Sequence, residues 1–259
     1  MSGAGVSTIA DVECTTVGGA SVARLTLEET AALMLRLARE PKRAAGPFYF
    51  TSVNGEVLAR RRFDPHFAPL VDGADLVSAD GQPLVLASRW LSSNPLPERV
   101  ATTDLFPVVA EMAEAAGVSF YLMGASEAVN RAAFEATKRR HPRLDIRGRA
   151  HGYAQGPALE RQIAAIDALA PDILWLGLGV PYEQEFVRRH ASALSNVKLI
   201  KTSGGLFDFV AGARSRAPAW MRKSGLEWAY RMALEPRRLS LRYLATNPIA
   251  LALLVTRTR

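Results

Sequence analysis

Short apolar segments alternate with amphipathic segments along most of this 259-residue chain. The apolar runs are mostly continuous rather than alternating, which is typical of strands covered on both faces. Strand–helix alternation predicts an α/β fold: a Rossmann-like, mostly parallel sheet covered by helices. We predict strands over 47–53, 74–79, 118–124, 144–150, 172–179 and 197–204, and helices over 26–40 and near 64–72, 82–91, 104–116, 126–140, 157–170 and 183–194.

The character of the sequence changes at both ends of this pattern. The first residues are rich in Gly, Ser, Thr and Ala, which predicts a loose leader with at most one short strand. After residue 211 the strand signals stop, and the chain becomes aromatic, basic and helical, with breaks at Pro218 and Pro236. We therefore expect a loose leader over 1–24, an α/β catalytic domain over 25–211 and a basic helical appendage over 212–259.

Charge is distributed unevenly between these parts. Residues 212–259 contain ten basic and two acidic side chains, so this tail carries +8, and the net charge of +7 leaves −1 for the remainder. A nearly neutral body with a basic tail predicts an anionic partner, which could be phospholipid headgroups, a phosphorylated substrate or nucleic acid. The alternative is a solvated helical surface. The short apolar run 249–255, flanked by arginines, is typical of an interfacial membrane anchor.

Several classes of protein are disfavoured by residue usage. The single cysteine, Cys14, excludes a disulfide framework and a multi-cysteine zinc site. The four histidines lack HxxxH spacing and the chain has no D-x-D motif, so we expect no metal and no other cofactor. The chain has no run of about 18–20 apolar residues, so we expect no membrane-spanning helix. The N-terminal residues lack the pattern of a secretory signal, so we expect a cytoplasmic protein.

Polar residues follow two of the predicted strands. Asp80 comes directly after the strand ADLVSA and precedes Gly81. Parallel sheets present ligand-binding groups at this end of a strand, where a carboxylate can accept a proton from an attacking hydroxyl. The alternative for Asp80 is a helix N-cap. Ser52 and Asn54 end the preceding strand and could bind a sugar or nucleotide, or form an ordinary turn.

Three later junctions are weaker candidates. Gly124 opens a strand-to-helix turn, capped by Ser126, that could hold a phosphate but is common in α/β proteins. The pair Gly177-x-Gly179 matches only part of a dinucleotide fingerprint, and no P-loop motif occurs. The segment PYEQE (181–185) could bind sugar hydroxyls or uracil, or could simply be a helix begun by proline.

Ten motifs between about Phe50 and Leu244 together resemble one protein family. They are, in order, TSVNGEVL, ADLVSADG, PERV, FYLMGAS, HGY, PDILWLGLGVPYEQEF, SGGLFDFVAG, RAPAWM, GLEWAYR and EPRRLSLRYL. This order is similar to that of the WecG/TagA/CpsF family, glycosyltransferase family 26. The resemblance implies a metal-independent, inverting transferase at the inner face of the plasma membrane. Such enzymes move a sugar, often N-acetylmannosamine or its uronic acid, from a UDP-sugar to an undecaprenyl-diphosphate-linked acceptor during surface-polysaccharide synthesis.

The resemblance also assigns roles to residues. The family's general base matches Asp80, its hydroxyl-x-Asn pair matches Ser52 and Asn54, and the arginine of its RVxG element matches Arg99. Its PKQE element matches Pro181 with Gln184 and Glu185. The family's C-terminal arginines, which complete the site at the membrane and face the diphosphate, match Arg231, Arg238 and Arg242. Further candidate substrate-binding residues are Gly81, Gly124 and Gly205.

Two departures from the family pattern concern the donor sugar. Thr102 stands at the glycine position of RVxG, and PYEQE carries one residue more than PKQE. Two rival functions stay open on the residues alone. One is an NAD(P)-dependent oxidoreductase on a doubly wound sheet, and the other is a nucleic-acid binder that uses the basic tail.

Overall fold

The structure, a computed structural model, describes residues 8–259 apart from the side chains of Lys223 and Arg238. Its strands are β1 (Cys14–Val17), β2 (Ala20–Ala23), β3 (Phe48–Val53), β4 (Leu76–Ala79), β5 (Phe120–Gly124), β6 (Ile146–Ala150), β7 (Ile173–Gly177) and β8 (Leu199–Thr202). Its helices are α1 (Leu27–Arg39), α2 (Gly55–Phe63), α3 (Ala68–Asp72), α4 (Gln82–Leu91), α5 (Thr102–Ala116), α6 (Glu127–Arg140), α7 (Gly156–Leu169), α8 (Tyr182–His190), α9 (Leu206–Val210), α10 (Ala219–Lys223), α11 (Glu227–Leu234) and α12 (Pro236–Thr256).

Six of the strands form one sheet, in the order β4-β3-β8-β7-β5-β6. The pairs β3–β8, β8–β7, β7–β5 and β5–β6 are parallel. Strands β4, β5, β7 and β8 are buried along their whole length, as continuous apolar runs predict. The predicted α/β class with a helix-covered parallel sheet is confirmed.

The chain divides into two compact units whose boundaries differ from the expected domains. Within the described residues, unit 1 contains 8–27, 52–101 and 216–259, and unit 2 contains 28–51 and 102–215. Most of the basic tail thus falls in unit 1. The chain enters and leaves unit 2 twice, which a reading of composition along the sequence does not detect.

The N-terminal segment of unit 1 is ordered over the part that the structure describes. Strands β1 and β2 form an antiparallel hairpin in which Val17 pairs with Ala20, across a turn of Gly18 and Gly19 with positive φ. The segment expected as a loose leader, 1–24, thus contains two short strands over residues 14–23, and its residues 1–7 lie outside the described part. The hairpin was missed because each strand has only four residues.

The tail closes unit 1 by returning to this hairpin. The backbone N–H of Gly19 donates to the carbonyl of Arg257 at 2.9 Å, and that of Arg259 donates to the carbonyl of Thr16 at 3.0 Å. Helix α12 lies against α2, where the missing side chain of Gly55 makes room: a Cβ there would lie 3.2 Å from the Cβ of Ala250. The residues of α12 that are buried are Leu239, Ala250, Leu253 and Leu254.

Helix α12 also changes one expectation about membranes. By length and composition alone, its segment Leu239–Thr256 could cross a bilayer, and 22% of that segment is buried. Pro248 interrupts the apolar pattern, so the sequence did not predict this long helix. In the structure the helix continues through Pro248, so the segments on both sides join.

The core of unit 2 is built around β7. Trp175 is fully buried, with its ring 4.9 Å from that of Phe106 and 5.8 Å from that of Phe120, both near edge-to-face. Phe106 lies on α5 and Phe120 on β5, so these rings join the sheet to a covering helix. These ring contacts hold β5 and β7 together, and the candidate site residue Gly124 lies at the end of β5.

The ends of β5 and β7 approach closely at two glycines. Gly124 pairs with Gly177, and a Cβ built on Gly124 would lie 2.2 Å from the carbonyl oxygen of Gly177. Gly124 also has φ +147°, a conformation that residues with a side chain rarely adopt. Packing of the strand ends therefore suffices to require glycine here.

We expect Gly124→Ala to lower the free energy of unfolding by about 3 kcal/mol or more, because backbone strain and a steric clash combine. Gly117→Ala is the matched control, since Gly117 also has positive φ but an added Cβ would meet no atom within 4 Å. It should lose only about 1 kcal/mol. Chemical denaturation of both variants checks this, and equal losses would show that the strand-end contact is unimportant.

Candidate active site

The carboxyl end of β4 carries Asp80 in unit 1. The backbone N–H of Asp80 donates to the carbonyl of Val53 at 2.8 Å, and the neighbouring carbonyl of Ala79 accepts from Val100 at 2.9 Å. These bonds hold the backbone on both sides of the strand end. The side chain is half-buried. Helix α4 begins at Gln82 with Gly81 as its N-cap, so Asp80 is not the capping residue.

Ser52 and Asn54 lie next to this strand end. The hydroxyl groups of Ser52 and Ser78 are 3.1 Å apart. A Cβ on Gly81 would lie 3.7 Å from the Cβ of Asn54, so the structure brings Asn54 and the Asp80-Gly81 pair together. The Oδ1 atom of Asn54 caps α2 by accepting from the N–H of Val57 at 3.1 Å. This leaves its Nδ2 group as the donor that could serve a ligand.

Two of the candidate arginines form ion pairs within unit 1. Arg99 lies 2.6 Å from Glu227 of α11, and its side chain is only 12% exposed. Arg242 of α12 lies 2.9 Å from Glu56, in the first turn of α2. Glu227 belongs to the GLEWAYR motif and Glu56 to the TSVNGEVL motif. The Arg99–Glu227 pair therefore connects the tail to the segment after β4, and the Arg242–Glu56 pair connects it to the segment after β3. Charge-assisted bonds of this kind are strong and directional.

The structure says less about the roles of the other two candidate arginines of the tail, Arg231 and Arg238. Arg231 lies on α11 and is half-buried. The side chain of Arg238 lies outside the described part of the chain, so its predicted role stays a prediction. Both residues belong to the basic tail, as Arg242 does.

In unit 2, the candidate glycines differ in their surroundings. Gly124 precedes the helix α6, which Ser126 caps by accepting from the N–H of Val129 at 3.3 Å. Gly205 is exposed and precedes α9; a Cβ there would lie 3.4 Å from Arg214 and 3.4 Å from Asp208. Only Gly205 therefore stands beside a charged side chain. Substrate binding by either glycine stays a prediction.

The two acidic residues of PYEQE both lie on helix α8 but differ in burial. Glu185 is partly exposed and lies 3.5 Å from Arg189, one turn further on. Glu183 and Gln184 are buried, at 3% and 1% exposure. Helix α8 begins at Tyr182, directly after Pro181, so most of PYEQE lies in its first turn. Sequence reasoning named Gln184 and missed Glu183.

Glu183 belongs to a buried polar cluster at the ends of β3, β7 and β8. Its Oε2 accepts from the N–H of Gly204 at 2.8 Å. Lys201 is fully buried, and its Nζ donates to the carbonyl of Thr202 at 2.8 Å and lies 3.5 Å from the hydroxyl of Thr102. Thr102, the first residue of α5, therefore lies next to this lysine. The cluster also contains a hydroxyl pair, Thr51 and Thr202, 2.8 Å apart.

Burial governs the protonation of this cluster. It raises the pKa of Glu183 from 4.5 to about 7, although the N–H of Gly204 and the ammonium of Lys201 act in the opposite direction. Burial also raises the pKa of the nearby Tyr49 phenol. Within residues 8–259, no group of three or more His, Cys, Asp or Glu side chains is arranged to hold a metal ion.

Comparison with known proteins identifies the family. Residues 15–259 match the glycosyl transferase WecG/TagA/CpsF family. The chain belongs to this family. It is 30% identical over 189 residues to the N-acetylglucosaminyldiphosphoundecaprenol N-acetyl-beta-D-mannosaminyltransferase of Bacillus subtilis (strain 168), covering 73% of this chain and 72% of that protein. The identically named protein of Staphylococcus aureus (strain MRSA252) is 28% identical over 191 residues, covering 74% of each chain.

Membership of the WecG/TagA/CpsF family decides between the classes of function left open by the residues. The protein is a glycosyltransferase, as the order of its motifs predicted. The oxidoreductase and nucleic-acid-binding alternatives lose their support. The roles of the individual site residues stay predictions, although the structure brings Ser52, Asn54 and Asp80 together in unit 1.

The raised pKa of Glu183 predicts a pH dependence of stability. Between about pH 4.5 and 7 the folded protein keeps a proton on Glu183 that the unfolded chain has released. The contribution of this group to the free energy of unfolding therefore falls as the pH rises through that range, and levels off above it. Glu183→Gln should remove this part of the slope.

Urea denaturation at several pH values between 4.5 and 8 measures the difference between wild type and Glu183→Gln. Glu135→Gln, on the surface beside Arg139, is the control and should keep the wild-type slope. Parallel pH curves for all three proteins would show that Glu183 is ionised in the folded protein throughout.

Proposed function

We propose that this glycosyltransferase moves a hexose from a UDP-sugar to an undecaprenyl-diphosphate-linked acceptor, with inversion at the anomeric carbon. The observation that carries the proposal is the activity named for relatives that align with about three quarters of the chain. N-Acetylmannosamine, its uronic acid or a related hexose is the proposed donor sugar. The product would be a lipid-linked intermediate of a surface or exopolysaccharide.

Asp80 is the proposed general base. The acceptor hydroxyl attacks the anomeric carbon from the side opposite UDP, and Asp80 takes its proton as the new C–O bond forms. The bond between the anomeric carbon and the diphosphate oxygen breaks, and UDP leaves with the electron pair. Support comes from the position of Asp80 at a strand end with a fixed backbone, beside Asn54. Ser52 and Asn54 are proposed to hold a substrate through hydrogen bonds.

Arginines are proposed to stabilise the leaving diphosphate. The family resemblance supplies Arg231, Arg238 and Arg242 of the tail for this role, and positive charge at the departing oxygens lowers the barrier. Arg99, the arginine of the RVxG element, is proposed as a further catalytic arginine. Arg99 and Arg242 each already bond to a carboxylate, Glu227 and Glu56. Each acid orients its arginine, and a diphosphate would share or replace it. Gly81, Gly124, Gly205, Gln184 and Glu185 complete the proposed substrate-binding set.

The tail is proposed to bind an anionic membrane surface at the inner face of the plasma membrane. Helix α12 exposes Leu241, Leu244, Leu251 and Val255, each by 60% or more. These residues recur at intervals of three, four and seven, so they share one helix face. Arg237, Arg257 and Arg259 are exposed near its two ends, where they could meet anionic headgroups.

Product analysis tests the proposed reaction most directly. A panel of UDP-sugars is offered with a synthetic N-acetylglucosaminyl-diphosphate polyprenol, in the presence and absence of EDTA. Transfer from one of the UDP-sugars, with an inverted anomeric centre, supports the proposal. Transfer that occurs only from sugars on another nucleotide would overturn the donor assignment, and loss of transfer in EDTA would contradict the role of the arginines.

We expect Asp80→Asn to lower turnover by roughly 10²–10⁴-fold, the usual contribution of a general base. UDP binding should persist, because the amide keeps the size of the carboxylate. Asp72→Asn is the control, since Asp72 pairs with Arg61 on the surface of the same unit. Near-normal turnover by a folded Asp80→Asn protein would remove Asp80 from the mechanism.

We expect Leu241→Ser combined with Leu251→Ser to weaken binding to vesicles that contain phosphatidylglycerol. Burying each leucine should favour binding by about 1.5 kcal/mol or more, so each replacement should cost about tenfold in partitioning. Sedimentation with vesicles measures this. Deletion of the tail would be a poor test, because Leu253 and Leu254 belong to the core of unit 1.

Leu169→Ser provides the control for the vesicle experiment. Leu169 is an exposed leucine at the end of α7, in unit 2 and outside the tail. Its replacement should leave vesicle binding unchanged. Equal binding by wild type and the double tail variant would mean that the exposed face of α12 does not enter the membrane.

A further inference from the structure

One buried residue joins the loops that follow two neighbouring strands of unit 2. The carboxylate of Glu183 accepts from the backbone N–H of Gly204, which follows β8, at 2.8 Å. The backbone N–H of Glu183 donates to the carbonyl of Gly179, which follows β7, at 3.0 Å. Glu183 thus connects two loops at the carboxyl end of the sheet.

Stability alone does not account for two ionisable side chains at this place. Glu183 and Lys201 are both buried, and burying an ionisable group is costly unless hydrogen bonds or charges compensate it. Apolar side chains of similar volume often stabilise a fold as well as a buried ion pair does. The remaining explanation is the directional bonding of the carboxylate, which an apolar side chain lacks.

The next residue shows what this bonding controls. The Nε2 group of Gln184 lies 3.4 Å from Oε1 of Glu183 and 3.5 Å from the hydroxyl of Thr51. These contacts turn the amide so that its Oε1 atom points away from them. That oxygen is buried and accepts no hydrogen bond from any residue in the described part of the chain. A buried acceptor without a donor is destabilising by about 1–3 kcal/mol.

A second orphaned oxygen lies in the same cluster. The hydroxyl of Ser203 is buried and has no hydrogen-bond partner among residues 8–259, while the backbone N–H of the same residue donates to the carbonyl of Leu176 at 2.7 Å. Glu183 contacts the amide of Gln184 and binds the backbone of Gly204, the residue after Ser203. Gln184 and Ser203 each keep a buried oxygen available to an N–H or O–H donor. Buried polar atoms of this kind are normally satisfied, so both oxygens indicate a missing ligand group.

We propose that Glu183 is a positioning residue for the donor substrate: it orients the amide of Gln184 and, through Gly204, the loop that carries the hydroxyl of Ser203, so that these two oxygens bind an N–H or O–H group of a sugar nucleotide. This inference rests on the proposed function, in which Gln184 contacts the donor. The donor group has two sources, the imide N–H of uracil and a hydroxyl of the transferred sugar. Glu183 itself touches no substrate.

The test compares Glu183→Gln, Gln184→Ala, Ser203→Ala and the double variant Glu183→Gln/Gln184→Ala in the full-length protein. Calorimetry measures the binding of UDP and of UDP-N-acetylmannosamine, and steady-state transfer gives separate KM values for donor and acceptor. Glu135→Gln, on the surface of α6, is the matched control and should behave as wild type. Far-UV circular dichroism confirms that each variant is folded.

We expect Glu183→Gln to raise the donor KM at least about tenfold and to leave the acceptor KM unchanged. In the Gln184→Ala background the same replacement should add less than about twofold, because residues that act through one another are not additive. Ser203→Ala should raise the donor KM too. Weaker binding of UDP itself assigns the donor group to uracil, and weaker binding of the UDP-sugar alone assigns it to the sugar.

Three results would overturn the inference. A folded Glu183→Gln protein with wild-type donor binding is one, and fully multiplicative effects in the double variant are another. If Glu183→Gln does not fold, unchanged donor KM values in both Gln184→Ala and Ser203→Ala are the third. Wild-type protein that binds UDP but transfers no sugar refutes the proposed function alone, and the calorimetry still decides this inference. Wild-type protein that binds neither UDP nor a UDP-sugar refutes both.

Discussion

Burial of ionisable side chains at the end of the sheet is the constraint on which the site in unit 2 depends. Glu183 and Lys201 are both buried beside the ends of β7 and β8. Burying such groups is costly unless hydrogen bonds compensate it, and it raises the pKa of Glu183 to about 7. Glu183 is compensated by the N–H of Gly204, which bonds to its carboxylate, and its own backbone N–H bonds to the carbonyl of Gly179. The loops after β7 and β8 are therefore joined at the place where Gln184 is held.

The sequence predicts the strands of the sheet well because most of them are short, continuously apolar segments. The strand FYLMG and the strand ILWLG are buried on both faces, and no competing helical period obscures them. Helix α2 was missed because GEVLARRRF has three consecutive arginines and only three buried residues. The hairpin of β1 and β2 and the four crossings between the units depend on long-range contacts, which no local pattern reports.

The candidate site was partly predictable for a similar reason. Strand ends locate Asp80 and Gly124 directly, because catalytic groups of parallel sheets collect there. Glu183 needed one further step. On a helix that begins at Tyr182, Glu183 shares a face with Phe186 and Val187 at spacings of three and four, whereas Glu185 lies about 200° away. Two buried apolar residues on the face of Glu183 were the signal that it points inward.

The tail carries apolar residues on two opposite faces of α12, and the faces have different partners. Leu253 and Leu254 are buried in unit 1, while Leu241 and Leu251 face outward. A helix that crossed the bilayer would have to withdraw the buried leucines from their unit and carry Arg242, now paired with Glu56, into hydrocarbon. A helix that lies flat keeps both the core and the ion pair and still covers its outer leucines. The packing of α12 therefore favours contact along the membrane surface over insertion across it, although its length would permit either.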